Sequence, residues 1–326
     1  MISLRYVVLA LSLLVFGAAA HAQSLTLSYS SDSPGALPVW IAKESGLYAK
    51  NGLDIQLIRV TGNVAVMAVV ANEVNIAFMG GTAAITSNLA GSDAVMVAAG
   101  EIATDYSLIV SPKIKSPEQL KGAIIGIASV VGSATTATLY GLQKFGLGRN
   151  DVTLMVVGGT PERLAALRTG RIQATLLSPP TSFAAEREGY AILTDVSMPL
   201  PYNSVVSTRK FAKQNPAIMR RFIKAHLEAV HMLKTDREAG IRTLAKYLRQ
   251  TKERQLLEKS YAISTSDDIL PRKQYPTNAG IKTVLDALVK TYPRAGTARP
   301  EEFTELQYIR EFDASGFIDN LYRNKN

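Results

Sequence analysis

The spacing of apolar residues along this chain switches repeatedly between the period of a strand and the period of a helix. These switches are clearest near the start of the chain. Residues 24–29 alternate with the period of a strand, and residues 54–60 do the same. Between them, residues 38–48 place apolar side chains on one face of a helix. Residues 30–37 include three serines, a proline and a glycine, which form loops. A strand, a loop, a helix and a strand make a βαβ unit, and its ligands bind at the carboxyl ends of the strands.

Helix-like and strand-like segments continue to alternate well past the middle of the chain. Residues 75–79 and 123–129 predict buried strands, and a polar linker at 113–121 separates two series of such units. This alternation is typical of an α/β protein with mostly parallel sheets. Residues 67–79 and 165–177, which lie 98 positions apart, share a helix, a polar turn and a strand. The repeat suggests two similar lobes.

Residues 37–58, LPVWIAKESGLYAKNGLDIQLI, carry a more specific signal. A helix with Ala-Lys-x-x-Gly-Leu, followed by Gly-Leu-Asp and a strand, resembles the opening signature of the periplasmic substrate-binding proteins of the nitrate/sulfonate/taurine ABC transporter family, which also includes binders of thiamine precursors. The resemblance implies a type II periplasmic binding fold with two lobes, each a mostly parallel sheet flanked by helices, and a ligand cleft between them. It also implies a small-molecule ligand, the permease subunits of an ABC importer as partners, no cofactor, and a monomer.

The resemblance also places the lobes along the chain. The segments that cross between the lobes are expected near residues 112 and 201. The second lobe is then continuous, residues 112–201, and the first is assembled from residues 24–111 and 202–326. This arrangement accounts for a last third of the chain that is helical and adds no strand pattern.

The first 23 residues predict a secretory signal peptide. Arg5 is followed by an apolar run to Ala20 and by the tripeptide Ala-His-Ala, which is the usual order of charge, apolar segment and small-residue cleavage site. We expect cleavage after Ala22 or Gln23 and export to the periplasm. A membrane anchor is the alternative, but the apolar run is shorter than the roughly 20 residues that a span requires.

The amino-acid composition and the distribution of charge exclude several classes of function. The chain contains no cysteine, which excludes disulfides, a lipoprotein anchor, thiolate metal sites and cysteine nucleophiles. The net charge of +9 resides in the last part, because residues 24–208 carry 12 Lys/Arg against 13 Asp/Glu and residues 209–326 carry 23 against 14. Acidic residues are interleaved there, and no nucleic-acid-binding motif accompanies the charge. We therefore predict a solvated helical surface and no nucleic-acid partner.

Catalytic and metal-binding patterns are scarce. Of three histidines, one falls in the predicted signal peptide, and His226 and His231 are five positions apart on one predicted helix. Five residues turn about 500°, so these side chains point about 140° apart and cannot share a metal ion. The sequence has no nucleophile elbow, P-loop or dinucleotide-binding motif. We therefore predict no enzyme activity and no metal site.

Two other functions on the same fold stay open as alternatives. An enzyme similar to thiamine-pyrimidine synthase would need a cysteine-bearing iron site, and the chain contains no cysteine. A sensory binding protein that reports to a receptor would use the same cleft as an importer component, so the sequence does not separate these two.

Four loops at predicted strand ends supply binding chemistry. They are residues 30–37, 80–82, 131–136 and 178–181, all rich in Ser, Thr, Gly or Pro, and the last three lead directly into helices. Unpaired N–H groups and the positive end of the dipole at a helix N-terminus can hold an anion without arginine. The alternative is that the hydroxyl groups of these loops only cap their own helices.

The family resemblance assigns ligand contacts to these loops and to the return crossing, where Tyr202 is predicted as an aromatic wall and Asn203 as a polar contact. The loops contain one carboxylate, Asp32, and no Lys or Arg. We favour an organic anion such as a sulfonate or carboxylate, or else a neutral heterocycle. The predicted ligand-binding residues are Ser31, Gly35, Ala36, Leu37, Gly80, Gly81, Thr82, Gly132, Ser133, Ala134, Pro179, Pro180, Thr181, Tyr202 and Asn203.

Overall fold

The structure is a computed structural model that describes residues 23–323, except 62, 131 and 250–252. The predicted signal peptide lies outside the described residues, apart from Gln23, where the first strand begins. The strands are β1 Gln23–Tyr29, β2 Leu53–Arg59, β3 Ile76–Met79, β4 Ala94–Ala99, β5 Tyr106–Val110, β6 Ile124–Ile127, β7 Thr153–Val156, β8 Ala174–Leu177, β9 Ala191–Val196 and β10 Ser204–Thr208.

The α-helices of the described residues cover the faces of the sheets, and none of them is long and apolar enough to cross a membrane. They are α1 Leu37–Glu44, α2 Leu47–Lys50, α3 Asn63–Val70, α4 Gly81–Leu89, α5 Ser133–Gln143, α6 Thr160–Arg168, α7 Thr181–Arg187, α8 Arg209–Gln214, α9 Pro216–Thr235, α10 Arg237–Leu248, α11 Arg254–Ser264, α12 Asn278–Leu288, α13 Gln307–Ala314 and α14 Phe317–Arg323.

The predicted βαβ unit is present at the start of the described chain. β1 and β2 pair in parallel, with Leu25 opposite Ile55. Buried and exposed residues alternate along the first half of β2, as expected of an edge strand. Between the two strands, α1 buries Trp40 completely. Gly46 ends this helix in the left-handed conformation, with φ of 67°, which glycine adopts without a steric penalty.

Two five-stranded mixed sheets form two lobes, which we call the first and the second lobe. The strand order is β2-β1-β3-β10-β4 in the first sheet and β7-β6-β8-β5-β9 in the second. In each sheet one strand, β10 or β5, is antiparallel to both neighbours. The strand order is equivalent in the two sheets. β3 and β8, which contain the strand segments of the 98-residue repeat, occupy the same central position in their sheets. The predicted two-lobed α/β fold is confirmed.

In each sheet the antiparallel strand is the one that the chain forms directly after it crosses from the other lobe. β5 pairs with β8 and β9 in the second sheet, whereas the predicted boundary after residue 111 assigns it to the first lobe. The prediction followed Pro112, which comes just after the strand, whereas the chain crosses between the lobes before β5 begins. A strand of this apolar pattern fits either sheet, so the pattern alone does not locate the crossing.

The two crossing segments, residues 100–105 and 197–203, lie side by side between the lobes. The N–H of Leu200 donates to the carbonyl of Ile102 at 3.0 Å, and the N–H of Asn203 donates to the carbonyl of Glu101 at 3.1 Å. The crossings therefore form a two-stranded ribbon that joins the lobes, directly beside the loops at the strand ends.

The helices after β10 cover the first sheet. α9 packs on α1, burying Phe222 and exposing Arg220, so its apolar face adds to the core and its basic face meets solvent. His226 on the same helix is buried, with its Nε2 2.9 Å from the carbonyl oxygen of Ala99 and 2.8 Å from Oε1 of Gln274. The contact between His226 and Ala99 connects the C-terminal helices to the end of β4.

Candidate ligand-binding cleft

Two adjoining cavities lie between the lobes. The inner cavity encloses about 110 Å³ and the outer cavity about 600 Å³. Ser33 lines both of them, and Thr160 of the inner cavity directly precedes Pro161 of the outer one. The two cavities are therefore neighbours that share part of their wall.

Three helices begin at the wall of the inner cavity. α4 begins at Gly81, α5 at Ser133 and α6 at Thr160, and residues at or just before each start line the cavity. The first N–H groups of a helix have no partner within the helix, and the dipole is positive at this end. Gly158, just before α6, has φ of 123°, which side chains other than glycine rarely allow. The backbone thus gives this wall a positive potential.

Arg163 adds a full positive charge to the same wall. It lines the inner cavity and is only 2% exposed. Side chains on a helix tilt toward its N-terminus, and Nη2 of Arg163 accordingly donates to Oγ1 of Thr160 at 3.3 Å. Among the described residues its Nε has no hydrogen-bond partner, and no carboxylate pairs with the guanidinium. Because an uncompensated buried charge is unfavourable, this site favours an anion.

Tyr106 and Tyr202 form an aromatic corner of the inner cavity. Their rings meet edge to face with centroids 5.2 Å apart, and Oη of Tyr202 donates to Oη of Tyr106 at 2.6 Å. Burial raises the pKa of Tyr106, an effect that the Arg163 guanidinium partly offsets. Burial and the neighbouring Tyr106 raise the pKa of Tyr202 well above its usual value. Both phenols are therefore neutral, and the hydrogen of Tyr106 can be donated to a ligand.

Asn203 lines the inner cavity from the second crossing segment, and a buried carboxyl group lies behind it. Nδ2 of Asn203 donates to Oε2 of Glu101 at 2.7 Å. Burial and the nearby Asp105 raise the pKa of Glu101 well above its usual value. Gly35 packs against this pair, because a Cβ atom there would collide with the Glu101 carboxyl and lie 2.5 Å from Nδ2 of Asn203.

The hydroxyl groups of Thr82 and Ser133 join the lobes instead of capping their helices. Their Oγ atoms lie 3.0 Å apart, and Oγ of Ser133 donates to the carbonyl of Pro201 at 3.3 Å. The N-cap positions of α4 and α5 are occupied by Gly80 and Gly132, which provide no side-chain cap. The alternative that these two hydroxyl groups serve as helix caps therefore does not apply.

Charged pairs bridge the lobes, and one of them includes Arg59, which lines the outer cavity. Arg59 of the first lobe pairs with Glu162 of the second at 3.0 Å, and also with Asp32 at 3.3 Å. Arg187 of the second lobe pairs with Glu253 of the first at 2.7 Å. These contacts stabilise the arrangement in which the lobes enclose the cavities.

The predicted ligand-binding residues fall into three groups in the structure. Pro179, Pro180 and Thr181 line the outer cavity. Five residues pack behind the walls and line neither cavity: Gly35, Ala36, Leu37, Gly81 and Thr82. The others line the inner cavity: Ser31, Gly80, Gly132, Ser133, Ala134, Tyr202 and Asn203. Direct contact with a ligand stays a prediction for all of them.

Sequence analysis missed Arg163, Tyr106 and Glu101. The prediction considered loop residues only and found no Lys or Arg there, whereas folding brings a guanidinium from inside α6 to the loops. One signal could have found Arg163, since a basic residue one turn after a helix start reaches back to that start. Glu101 and Tyr106 had no such signal, because their positions depend on how the crossing segments pair.

Comparison with known proteins assigns the family. The sequence profile of the NMT1-like family matches residues 18–249, which is more than half of the chain. The chain belongs to the NMT1-like family. Its resemblance to periplasmic substrate-binding proteins is confirmed by the relatives and solved structures that it matches.

This NMT1-like chain is similar to a Brachyspira hyodysenteriae protein assigned as an ABC transporter periplasmic binding protein, with 33% identity over 120 residues, which is 36% of this chain and 34% of that protein. A solved Bordetella bronchiseptica structure matches with 23% identity and a TM-score of 0.76, over 91% of this chain and 98% of its own. The alkanesulfonate-binding protein of Xanthomonas axonopodis pv. citri, bound to MOPS, matches with 20% identity and a TM-score of 0.69, over 87% of this chain and 97% of its own. At these identities the solved structures show that the fold is shared.

Proposed function

We propose that this NMT1-like protein is the periplasmic solute-binding component of an ABC importer, and that it captures a small organic anion such as a sulfonate or carboxylate. The buried guanidinium of Arg163 carries the proposal, because an anion is the ligand that compensates its charge. The starts of α5 and α6 and the hydroxyl group of Tyr106 add N–H and O–H donors around the same cavity, whereas the first N–H of α4, that of Gly81, donates to the carbonyl of Pro201. No Asp or Glu is among the described residues that line this cavity.

The sizes of the two cavities support an organic anion over an inorganic one. A cavity of about 150 Å³ holds benzene, so the inner cavity, at about 110 Å³, accommodates a charged head group and few further atoms. The outer cavity, at about 600 Å³, offers Tyr29, Tyr247 and Pro180 to a larger body, beside the charged side chains of Asp32, Arg59, Lys246 and Arg249. Nitrate or sulfate would leave these surfaces without contacts.

A ligand in the inner cavity would contact both lobes. Ser31 faces the cavity from the first lobe, and Ser133 and Arg163 face it from the second. Only a ligand that binds the closed arrangement better than the open one can shift the equilibrium between them. The anion meets this condition, and the permease subunits are the proposed partners that take up the closed, loaded form.

Substitution of Arg163 tests the proposal. Mature protein is unfolded and refolded to remove carried-over solute, and the dissociation constants of alkyl and aryl sulfonates and carboxylates are measured by calorimetry. We expect Arg163→Gln to weaken binding about 30-fold or more, because removing one partner of a buried charge pair costs roughly 2–5 kcal/mol. Arg163→Lys keeps the charge and should retain part of the affinity.

The matched control is Arg168→Gln on the same helix, since Arg168 is exposed and its Nε donates to Glu188 at 2.8 Å. This variant should bind as the wild type does. Thermal unfolding without ligand checks that each variant is folded. Wild-type affinity in Arg163→Gln would refute the proposal, and so would a wild-type protein that binds none of these anions.

A further inference from the structure

A buried acidic group behind the inner cavity has no part in the anion capture described above. Glu101 lies on the first crossing segment and Asn203 on the second, and Nδ2 of Asn203 donates to Oε2 of Glu101 at 2.7 Å. Two backbone bonds flank this contact: the N–H of Asn203 donates to the carbonyl of Glu101 at 3.1 Å, and the N–H of Gly100 donates to the carbonyl of Asn203 at 2.9 Å. The amide of Asn203 is thereby fixed at the cavity wall.

The surroundings of Glu101 are unfavourable for a charged carboxylate. It is 2% exposed. The groups that face it are the carboxyl of Asp105 on its own segment, Asn203 and Tyr202 on the second crossing, and the backbone of Gly35 from the first lobe. None of these described groups is a cation. Burial and the nearby Asp105 raise the pKa of Glu101, so the neutral acid is favoured.

We propose that Glu101 is a positioning residue for the anion site, which holds the Asn203 amide against the inner cavity without placing a negative charge beside the bound anion. This inference rests on the proposed function, since the anion is the same one. Glu101 is not among the residues that line the cavity, so it acts through Asn203. An ionised Glu101 would still accept the hydrogen bond, but its charge would repel the anion across a poorly screening interior.

Anion affinity should therefore depend on pH. A bound anion favours the protonated form of Glu101, and by linkage the affinity falls as the pH rises through the titration of this group. If the bound anion raises the pKa of Glu101 by one unit, the affinity for the anion differs about tenfold between the protonated and the ionised form of Glu101. Glu101→Gln keeps the shape and a hydrogen-bond acceptor and is neutral at every pH.

The binding experiment uses ethanesulfonate, whose charge does not change between about pH 5 and about pH 9. In the wild type we expect affinity to fall as the pH rises, by roughly tenfold for each unit by which the bound anion raises the pKa of Glu101. Glu101→Gln should keep the low-pH affinity throughout, and Glu101→Ala should bind weakly at every pH because Asn203 loses its anchor. Asp105→Asn should keep a pH dependence but move its midpoint to lower pH, because Asp105 helps to raise the pKa of Glu101, whereas Glu101→Gln should abolish it.

A second readout needs no ligand. The side-chain amide signal of Asn203 in a nitrogen-15 NMR spectrum, assigned by its loss in Asn203→Ala, should move with pH in the wild type and stay constant in Glu101→Gln. A signal that does not move, a wild-type affinity that does not change with pH, or a Glu101→Ala variant that binds as the wild type does would each overturn the proposal.

The same pair of readouts separates this proposal from the proposed function. If the Asn203 signal titrates through Glu101 but ethanesulfonate and the wider panel of anions do not bind at any pH, the anion ligand itself is wrong. The role of Glu101 toward that anion then fails with it.

Discussion

At the residue scale, the candidate site contains two buried titratable side chains that have no partner of opposite charge among the described residues. Arg163 has no carboxylate partner among the described residues, and Glu101 faces no cation there. No ion pair between the two occurs among the described residues: Arg163 lies on α6 and Glu101 on the first crossing segment. A carboxylate paired directly with Arg163 would neutralise the guanidinium and leave the cavity without a preference for anions. The unpaired, buried guanidinium costs stability and favours an anionic ligand.

Gly35 allows a test of the close packing behind Asn203. The methyl group of Gly35→Ala would collide with the Glu101 carboxyl and approach Asn203, and forcing atoms into a packed site costs about 1–3 kcal/mol. We expect this cost to appear as a weaker anion affinity together with a lower free energy of unfolding. Calorimetry and denaturant titration measure the two effects.

The control for this test is Gly148→Ala. Gly148 has φ of −110°, and the nearest atom to an added Cβ there is Oδ2 of Asp151 at 3.7 Å. This variant should stay within about 0.5 kcal/mol of the wild type. Equal effects of the two substitutions on anion affinity would show that the position of Asn203 does not matter for binding.

At the scale of elements, the lobes meet through two kinds of contact. The hydroxyl pair of Thr82 and Ser133 joins the starts of α4 and α5 at the floor of the inner cavity. The ion pair between Arg187 and Glu253 joins α7 to the segment before α11 at the surface. The buried contact is insensitive to salt, whereas the exposed one is screened by it.

Removing the exposed ion pair should loosen the closed arrangement. An exposed pair contributes about 0.2–1 kcal/mol, so Glu253→Gln should raise the rate of anion release at most about fivefold at low salt. The association rate should change little, and the difference from the wild type should disappear at high salt. Stopped-flow measurements of both rates check this expectation.

Glu238→Gln is the matched control. Glu238 pairs with Arg254 at 2.7 Å, the same distance as the Arg187–Glu253 pair, but both partners lie on the first lobe. The substitution should leave the release rate unchanged. If it accelerates release as much as Glu253→Gln does, the effect comes from charge alone and not from a bridge between the lobes.

At the scale of the whole molecule, one apolar cluster joins the two lobes. Buried residues of both sheets, such as Ala77 and Ile125, belong to a cluster that passes through Tyr106 and Leu200 at the crossings. The C-terminal helices join the first lobe through a second cluster and through His226, whose ring contacts the end of β4. We therefore expect a change at His226 to affect the unfolding of the whole chain.

The pH dependence of stability tests this role of His226. Burial lowers the pKa of His226, although its hydrogen bonds partly offset this effect. Its neutral form therefore stabilises the fold above the usual pKa of about 6.5, and this contribution is lost as the pH falls through the lowered value. His226→Gln should cost about 1–3 kcal/mol near neutral pH. The difference in the free energy of unfolding between His226→Gln and the wild type should narrow at acidic pH by at most about 1.4 kcal/mol per pH unit.

Denaturant titrations at several pH values measure this difference, and His231→Gln on the same helix is the control. His231 packs edge-on against Tyr322 with ring centroids 4.9 Å apart. Near neutral pH this variant should lose less stability than His226→Gln, because the hydrogen bonds of His226 to Ala99 and Gln274 stay in place. If the difference in the free energy of unfolding between His226→Gln and the wild type does not change with pH, the folded protein does not require the neutral form of His226.

The sequence by itself determined the local elements and the class of fold. The period of two in residues 24–29 and the apolar face around Trp40 are properties of a short stretch of chain, so they predicted β1, α1 and β2. The 98-residue repeat indicated two equivalent lobes because each lobe repeats the same local units. Loop composition located the strand ends, since turns and helix starts require Gly, Pro, Ser and Thr.

Only the tertiary structure decided which side chains share the cleft. Arg163 lies within a helix, Tyr106 begins a strand and Glu101 lies on a crossing, and no local pattern relates them. They come together because the crossing segments pair with each other and β5 enters the second sheet. The burial and the missing partners that give these groups their chemistry exist only in the packed molecule, because they depend on the atoms that distant parts of the chain place around them.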